Sequence, residues 1–259
     1  MEFDGEVARK RGPAERLAIE AAKMRAAAEL GARSGAFFVP AVLRFDAGAG
    51  VLETERVPGF VRLIDLVTRR DPGLLSSFAR VGRALAVVHA ELRLRDAPNI
   101  PLPAPLAGEP DDVCVLHGDL NGSNVGYDPT QDRVVIIDWS AAHALEGEAT
   151  VGSRYFDLLW FAVFFFRFRP ASAWLGWSPE AWVGAFLSGY ARAVGAGFSA
   201  AGLRAYHERA RGFLLEDLRR EQARQGSGLR SVAYRAWRRL GWRRWEKFLA
   251  ALSDSQLGA

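Results

Sequence analysis

Two apolar stretches, VCVL at 113–116 and RVVII at 133–137, each run directly into polar side chains, and this pattern constrains the chain more than any other part of it. Short apolar runs bounded by turn residues read as strands. The first strand ends at Leu116 and delivers His117, Asp119 and Asn124 into a loop; the second ends at Asp138. Asp119 and Asn124 are five apart, and Asp138 follows fourteen later. Two carboxylates and one amide therefore stand at neighbouring strand ends. Hard oxygen donors of this kind suit Mg2+, which takes one or two carboxylates and leaves room for phosphate oxygens.

Composition bounds the rest. The 259 residues are 49% hydrophobic and 25% charged, which excludes wholesale disorder and allows one or two domains with a sizeable core. A single cysteine, Cys114, excludes an intramolecular disulfide framework and a multi-cysteine zinc site. The opening MEFDGEVARKRG has no apolar core of a secretory signal, and the longest uninterrupted apolar run, Leu158 to Phe166, is too short to span a bilayer. The expected location is cytoplasmic. Charge is uneven: Arg204 to Lys247 holds 13 basic and 5 acidic residues, so the net +4 of the chain comes from one C-terminal segment.

The chain shows no fixed-period repeat. Residues 1–57 read as strand, helix, strand, strand: Glu6 to Arg11, then Ala14 to Leu30 ending at Gly31, then Phe37 to Phe45 and Gly50 to Val57. Pro58-Gly59 is a candidate linker, and 58–259 is mainly helical, with a long amphipathic helix at Leu74 to Leu92 and Pro-rich loop at Asn99 to Pro110. The expected architecture is α+β: a small β-rich lobe (1–57) and a larger helical lobe (58–259), with a ligand in the crevice between them.

The segment HGDLNGSN (117–124) fits H-x-D-x-x-x-x-N, and IDW (137–139) stands where protein kinases carry D-F-G. Together they resemble the protein-kinase-like superfamily on its small-molecule branch, the aminoglycoside and choline phosphotransferases; DLNGSN is also similar to lipopolysaccharide sugar kinases. An Asx-rich turn between two strands is the bland reading, but it does not explain two matched segments in order. The resemblance runs over about residues 6–200 and is strongest at 115–160. It implies a bilobal kinase-like fold and transfer of the γ-phosphoryl group of ATP, with Mg2+, to a hydroxyl of a small molecule or a lipid-linked sugar. It further implies that Asp119 accepts the hydroxyl proton, that Asn124 and Asp138 hold Mg2+, and that His117 braces the loop.

Upstream, VARK (7–10) resembles the kinase V-A-I-K strand, so that Ala8 roofs the adenine and Lys10 reaches the phosphates. RLAIEAAKMRAAAEL then resembles the following helix, with Glu20 as the partner of Lys10; solvated surface charge is the alternative for both. LETERVPG resembles the last strand and hinge, where Glu55 and Val57 offer backbone groups to adenine. GSRYFDLLWFAVFFF resembles the segment after the metal-binding Asp, with Asp157 either bonded to the catalytic loop or simply an acid at a helix N-terminus. The apolar residues after it suit a helix buried on all sides. His89 reads as a packed helix histidine. The departure from the family is the glycine-rich loop: nine residues precede Lys10, which leaves no room for that hairpin and puts ATP affinity in doubt more than the chemistry.

The tail SVAYRAWRRLGWRRWEKFLAAL (231–252) is helical by period, with Trp237, Leu240, Trp245, Phe248, Leu249 and Leu252 near one face and arginines on the others. It reads as a terminal helix packed on the large lobe. A second reading makes it an interfacial helix at the anionic inner face of the membrane. No recognition motif accompanies the charge, so no nucleic-acid partner is expected. The arginines favour an anionic or membrane-presented acceptor over a polycationic aminoglycoside, although an aminoglycoside-type kinase remains an alternative. A nucleotide-binding pseudokinase and a membrane-docking adaptor, both without turnover, are further alternatives.

Overall fold

The computed structural model of the protein describes residues 2–145, 149–168, 177–223 and 229–258. The chain opens with a tight hairpin, β1 (Glu2–Asp4) turning through Gly5-Glu6 into β2 (Val7–Arg11). With β3 (Val42–Asp46) and β4 (Val51–Glu55) these strands form an antiparallel sheet in the order β1-β2-β4-β3, and Lys10 faces Leu52 in the β2–β4 register. The nine residues before Lys10 thus do hold a short hairpin, one strand more than the sequence suggests. Its two-residue turn carries one glycine and is no glycine-rich loop.

Helix α1 (Ala14–Ser34) buries Leu17, Glu20, Ala21, Lys23, Met24, Ala27 and Leu30, the three-to-four spacing that puts them on one side. It runs past the expected stop at Gly31. Gly31 packs against the carbonyl of Phe37, and the helix ends instead at Gly35, whose φ of +65° lets its N–H reach the Gly31 carbonyl at 2.9 Å. Phe37 to Phe45 is not one strand either. Pro40, with no N–H to give a ladder, interrupts it; β3 begins at Val42, and Phe38 pairs in parallel with Val135 of the other lobe.

The larger lobe starts with β5 (Val61–Arg62), α2 (Leu63–Arg69) and α3 (Leu74–Glu91). β6 (Val113–Val115) pairs with β9 (Val151–Ser153), whereas β7 (Val125–Asp128) and β8 (Arg133–Ile136) pair with each other beside β5. The two strands that bracket the polar loop therefore lie in different sheets, and β7 lies unannounced between them. α4 (Arg154–Arg167) follows, then α5 (Pro179–Val194), α6 (Ala200–Ala223), α7 (Leu229–Ala251) and α8 (Asp254–Leu257).

α3 and α5 approach closely because Gly82 and Gly189 lie between them; a Cβ on either would run into the opposite backbone. α4 is the central helix, and Phe161 and Phe165 pack with Phe78 and Phe186 at ring-centroid distances of 4.0–5.8 Å. It is not buried on all sides, because Trp160 and Phe164 are half-buried beside a cavity. α7 packs on α4 through Gly241, against the Phe166 carbonyl, and through Trp245, which is fully buried. The stripe sits differently from the expected one: Trp242 is buried while Leu240 is 48% exposed. The apolar core is continuous, from Leu17, Met24 and Leu52 of the small lobe to Phe161 and Trp245 of the large one. The fold is bilobal α+β. Among the described residues no helix is long and apolar enough to cross a membrane.

Candidate active site

The site is built where the loop after β6 meets the end of β8. Gly118 takes φ +87°, and an added Cβ there would lie 3.3 Å from Ala141. Asp138 also sits in the left-handed region, at φ +56°, which turns the chain sharply just after the strand. The buried His117 joins the two segments. Its Nδ1 accepts from the Asp119 N–H at 3.2 Å, so Nε2 carries the proton and donates to the Ile137 carbonyl at 3.1 Å. Burial pushes its pKa down to about 4, so the ring is a neutral brace.

Asp157, wholly buried at the start of α4, closes the loop from behind. Its carboxylate accepts from the N–H groups of His117 and Gly118, at 2.8 and 2.9 Å, and from His89 Nε2 at 3.2 Å. Burial alone would raise its pKa, but the His89 hydrogen bond and the other donors hold it below the usual carboxylate range. His89 in turn meets the Tyr190 hydroxyl through Nδ1, at 2.9 Å.

Asp119 is the carboxylate that this bracing presents. Trp160 Nε1 donates to its Oδ1 at 2.8 Å and Asn124 Nδ2 to its Oδ2 at 3.2 Å. Burial raises its pKa to about 6, with the nearby Asp138 charge adding to the shift against these hydrogen bonds. Asn124 uses the same Nδ2 on the Asp119 carbonyl, at 3.0 Å, which leaves its Oδ1 to face elsewhere. The Asn124 carbonyl accepts from Ile137 N–H at 2.8 Å, so Asn124 stands one residue from Asp138 across that bond.

Lys10 reaches across from β2. Its ammonium donates to both Glu20 oxygens, at 2.9 and 2.8 Å, to Asp138 Oδ1 at 2.8 Å and to Ser140 Oγ at 3.3 Å. Burial pulls its pKa down, but the two carboxylates outweigh that and hold it above its ordinary value. Ser140 donates to Asp138 at 2.6 Å. Asp138 is pulled up by burial and, more strongly, down by Lys10 and Ser140, and so stays ionised.

Two cavities meet at Lys10 and Glu20. The smaller, about 490 Å³, lies between the small-lobe sheet and the loop, and Ala8, Leu52, Glu55, Val57, Asn124 and Asp138 line it. The side chain of Glu55 turns to the Ala41 N–H, and the Val57 carbonyl accepts from Phe60 N–H, each at 3.3 Å. The larger, about 1000 Å³, opens on Asp119 and is walled by α1, α4, α6 and α7. The structure thus gathers Lys10, Glu20, His117, Asp119, Asn124, Asp138 and Asp157 at one place, with Glu55 and Val57 on the rim of the smaller cavity.

Three contributors escaped the sequence reading. Lys23, one turn after Glu20, is 1% exposed and donates to the His117 carbonyl at 2.8 Å. Burial pushes its pKa down to about 8, with the carboxylates of Asp157 and Glu20 opposing the shift. Ser140 and Trp160 are the others. Helical spacing from Glu20 was the one available signal for Lys23; Trp160 belongs to an apolar run and carries none.

No family model matches the sequence, and no curated protein matches it. Solved structures do. A choline/ethanolamine kinase family protein from Mesorhizobium loti superposes with a TM-score of 0.53 at 19% identity, over 98% of this chain and 85% of that one. An aminoglycoside phosphotransferase, APH(3'')-Id from Streptomyces rimosus, in complex with ADP and streptomycin, gives 0.51 at 20% identity over 79% and 86%. A glucosamine kinase in complex with glucosamine, ADP and inorganic phosphate gives 0.58 at 16% identity over 95% and 77%. At such identities the likeness is one of fold: the chain shares its bilobal architecture with these kinases and phosphotransferases.

Proposed function

We propose that the chain is an ATP- and Mg2+-dependent phosphotransferase that moves the γ-phosphoryl group to a hydroxyl of a small-molecule acceptor. One observation carries this reading: the Asp119 carboxylate opens on one cavity, Asn124 and Asp138 open on the other, and the Lys10–Glu20 pair stands where the two meet. Two neighbours of this fold have ADP bound, which supports nucleotide in the smaller cavity.

The donor set fits Mg2+. Among the described residues no three His, Cys, Asp or Glu side chains cluster as a metal site. Mg2+ does not need one, since it usually takes one or two carboxylates together with phosphate oxygens and water. Asp138 and the Oδ1 of Asn124 would hold it, and when bound it supplies charge neutralisation for the transferring phosphoryl group. The chain's own groups do the rest. Lys10 swings from Asp138 toward the phosphates while Glu20 keeps it in register. Asp119 accepts the proton of the acceptor hydroxyl as that oxygen bonds to the γ-phosphorus and the bond to the ADP oxygen breaks. Trp160 and Asn124 fix the carboxylate so that little orientation is lost on the way.

The same residues support domain limits at 1–57 for the nucleotide side and 58–259 for the catalytic lobe. For a membrane contact through 231–252, Trp242 and Trp245 are already used in packing, which leaves Arg239, Leu240, Arg243 and Lys247 outward. The test is a thermal shift with Mg2+ and ATP, followed by a labelled-ATP screen of alcohols. Wild-type protein is expected to be stabilised and to transfer label. Asp119→Asn should keep the shift and lose transfer, and Asp138→Ala should lose the shift. A shift with no transfer to any acceptor would instead mark a pseudokinase, and no shift at all would remove the nucleotide reading.

A further inference from the structure

We propose, resting on the phosphotransferase reading, that the larger cavity takes an uncharged alcohol whose hydroxyl meets Asp119 and whose apolar chain or ring lies along about 12 Å of α4. The wall there is aromatic. Trp160, Phe164 and Phe168 follow one another at i, i+4 and i+8, a spacing that sets side chains on one helix face, and all three line the cavity. Each is half-buried, so part of each ring stays open. Phe168 lies one residue past the end of α4, but its N–H still bonds to the Phe164 carbonyl at 2.7 Å, which keeps it in line. Trp160 marks the reacting end, because its Nε1–H is bonded to Asp119 at 2.8 Å. Eight residues at a rise of about 1.5 Å each put Phe168 about 12 Å farther along. Phe164 stands between them, stacked on Phe168 at 5.8 Å with the ring planes 14° apart. The catalytic loop leaves Phe164 its place: an added Cβ at Gly122 would come within 2.9 Å of the ring. Pro13 and Ile19 add apolar surface from the small lobe.

The charged groups away from Asp119 are already matched with one another. Arg167 donates to Asp217 at 3.0 Å and also to Glu221. Arg238 and the Tyr234 hydroxyl donate to the same Glu221. The Nε atoms of Arg167 and Arg238 are buried. Arg220 pairs with Glu216 at 3.4 Å, and Arg16 is likewise engaged. An anionic tail would therefore find no unpaired guanidinium among these residues, and a cationic tail no unpaired carboxylate. Either would have to break a pair already made or lose its water without a partner, and both are costly. An uncharged apolar tail breaks no pair and gains by leaving water along the three rings. A cavity of about 1000 Å³ has room for a chain or ring of that length.

The experiment is calorimetric titration of the full chain, in the presence of Mg2+ and ADP, with four alcohols: n-propanol, n-hexanol, ω-aminohexanol and ω-hydroxyhexanoate. Hexanol is expected to bind about thirtyfold tighter than propanol, about threefold for each CH2 taken from water. Its binding should also carry the more negative heat-capacity change. Each charged analogue is expected to bind about tenfold or more weakly than hexanol. Phe164→Ala is expected to remove most of the hexanol advantage, and Phe168→Ala is read in its place should the first variant fail to melt cooperatively. Equal binding of propanol and hexanol, tightest binding of either charged analogue, an advantage that survives the substitution, or no binding of any alcohol overturns the proposal. Mg2+ and ADP binding without a chain-length advantage sinks the apolar site alone. An advantage that the substitution removes, in a chain that binds no Mg2+ and ADP, sinks the phosphotransferase reading and leaves the site standing.

Discussion

Asp119 is a half-buried charge and Lys23 a buried one, and each is held against its own solvation. With its pKa raised to about 6, Asp119 binds its proton more tightly folded than unfolded, so ionising it weakens the fold as pH climbs from the unfolded value through about 6. Asp119→Asn should therefore be the more stable protein above that window, by about 1–3 kcal/mol, and melt about 2–4 °C higher for each kcal/mol. The gain should vanish near pH 4, and melts at acid and neutral pH will check it. The same group predicts an acid limb near pH 6 in kcat/KM, since the proton acceptor must be ionised. Lys23 has the opposite sign. Its pKa is lowered to about 8, so the fold gains stability as pH rises from there toward the ordinary lysine value. Lys23→Met should fold at least as well at neutral pH. It should also lose about tenfold or more in kcat with a smaller change in KM for ATP, because the His117 carbonyl loses its donor and the loop its grip on α1; steady-state kinetics beside a melt decides. His117, Asp119, Asn124 and Asp138 were legible because they form contiguous words. Lys23 was not, because a lysine in an alanine-rich helix reads as surface until the loop above it is in place.

Among the elements, glycine sets the close approaches. α7 rests on α4 at Gly241, and Gly241→Ala should push the helices apart and cost about 1–3 kcal/mol, seen as a lower denaturation midpoint with unchanged slope. The position explains why the stripe expected on α7 was out of place: the helix turns its glycine, not Leu240, toward its neighbour, and Trp242 follows it inward. The long amphipathic helices and the strands bearing Lys10 and Glu55 were readable from their periods. β1, β7 and the β6–β9 pairing were not. Strands of three or four residues carry too little alternation to register, and their partners are chosen by tertiary contact. The larger cavity was hidden for a similar reason, since α1, α4, α6 and α7 each contribute to its wall.

At the scale of the whole molecule the two lobes share one core, so calorimetry on the full chain should show a single transition with calorimetric and van't Hoff enthalpies in agreement. The lobes are also fastened at the site itself. Lys10 belongs to the small lobe and Asp138 to the large one, 128 residues apart, and they meet at 2.8 Å. The Lys10 ammonium is consequently neutralised by carboxylates of both lobes, Glu20 and Asp138. On the phosphotransferase reading, nucleotide in the smaller cavity exchanges the Lys10–Asp138 contact for one between Lys10 and phosphate, and so loosens one tie between the lobes. Small-angle scattering should therefore find the radius of gyration unchanged or slightly larger once nucleotide is present, where an enzyme that closes on its ligand would contract.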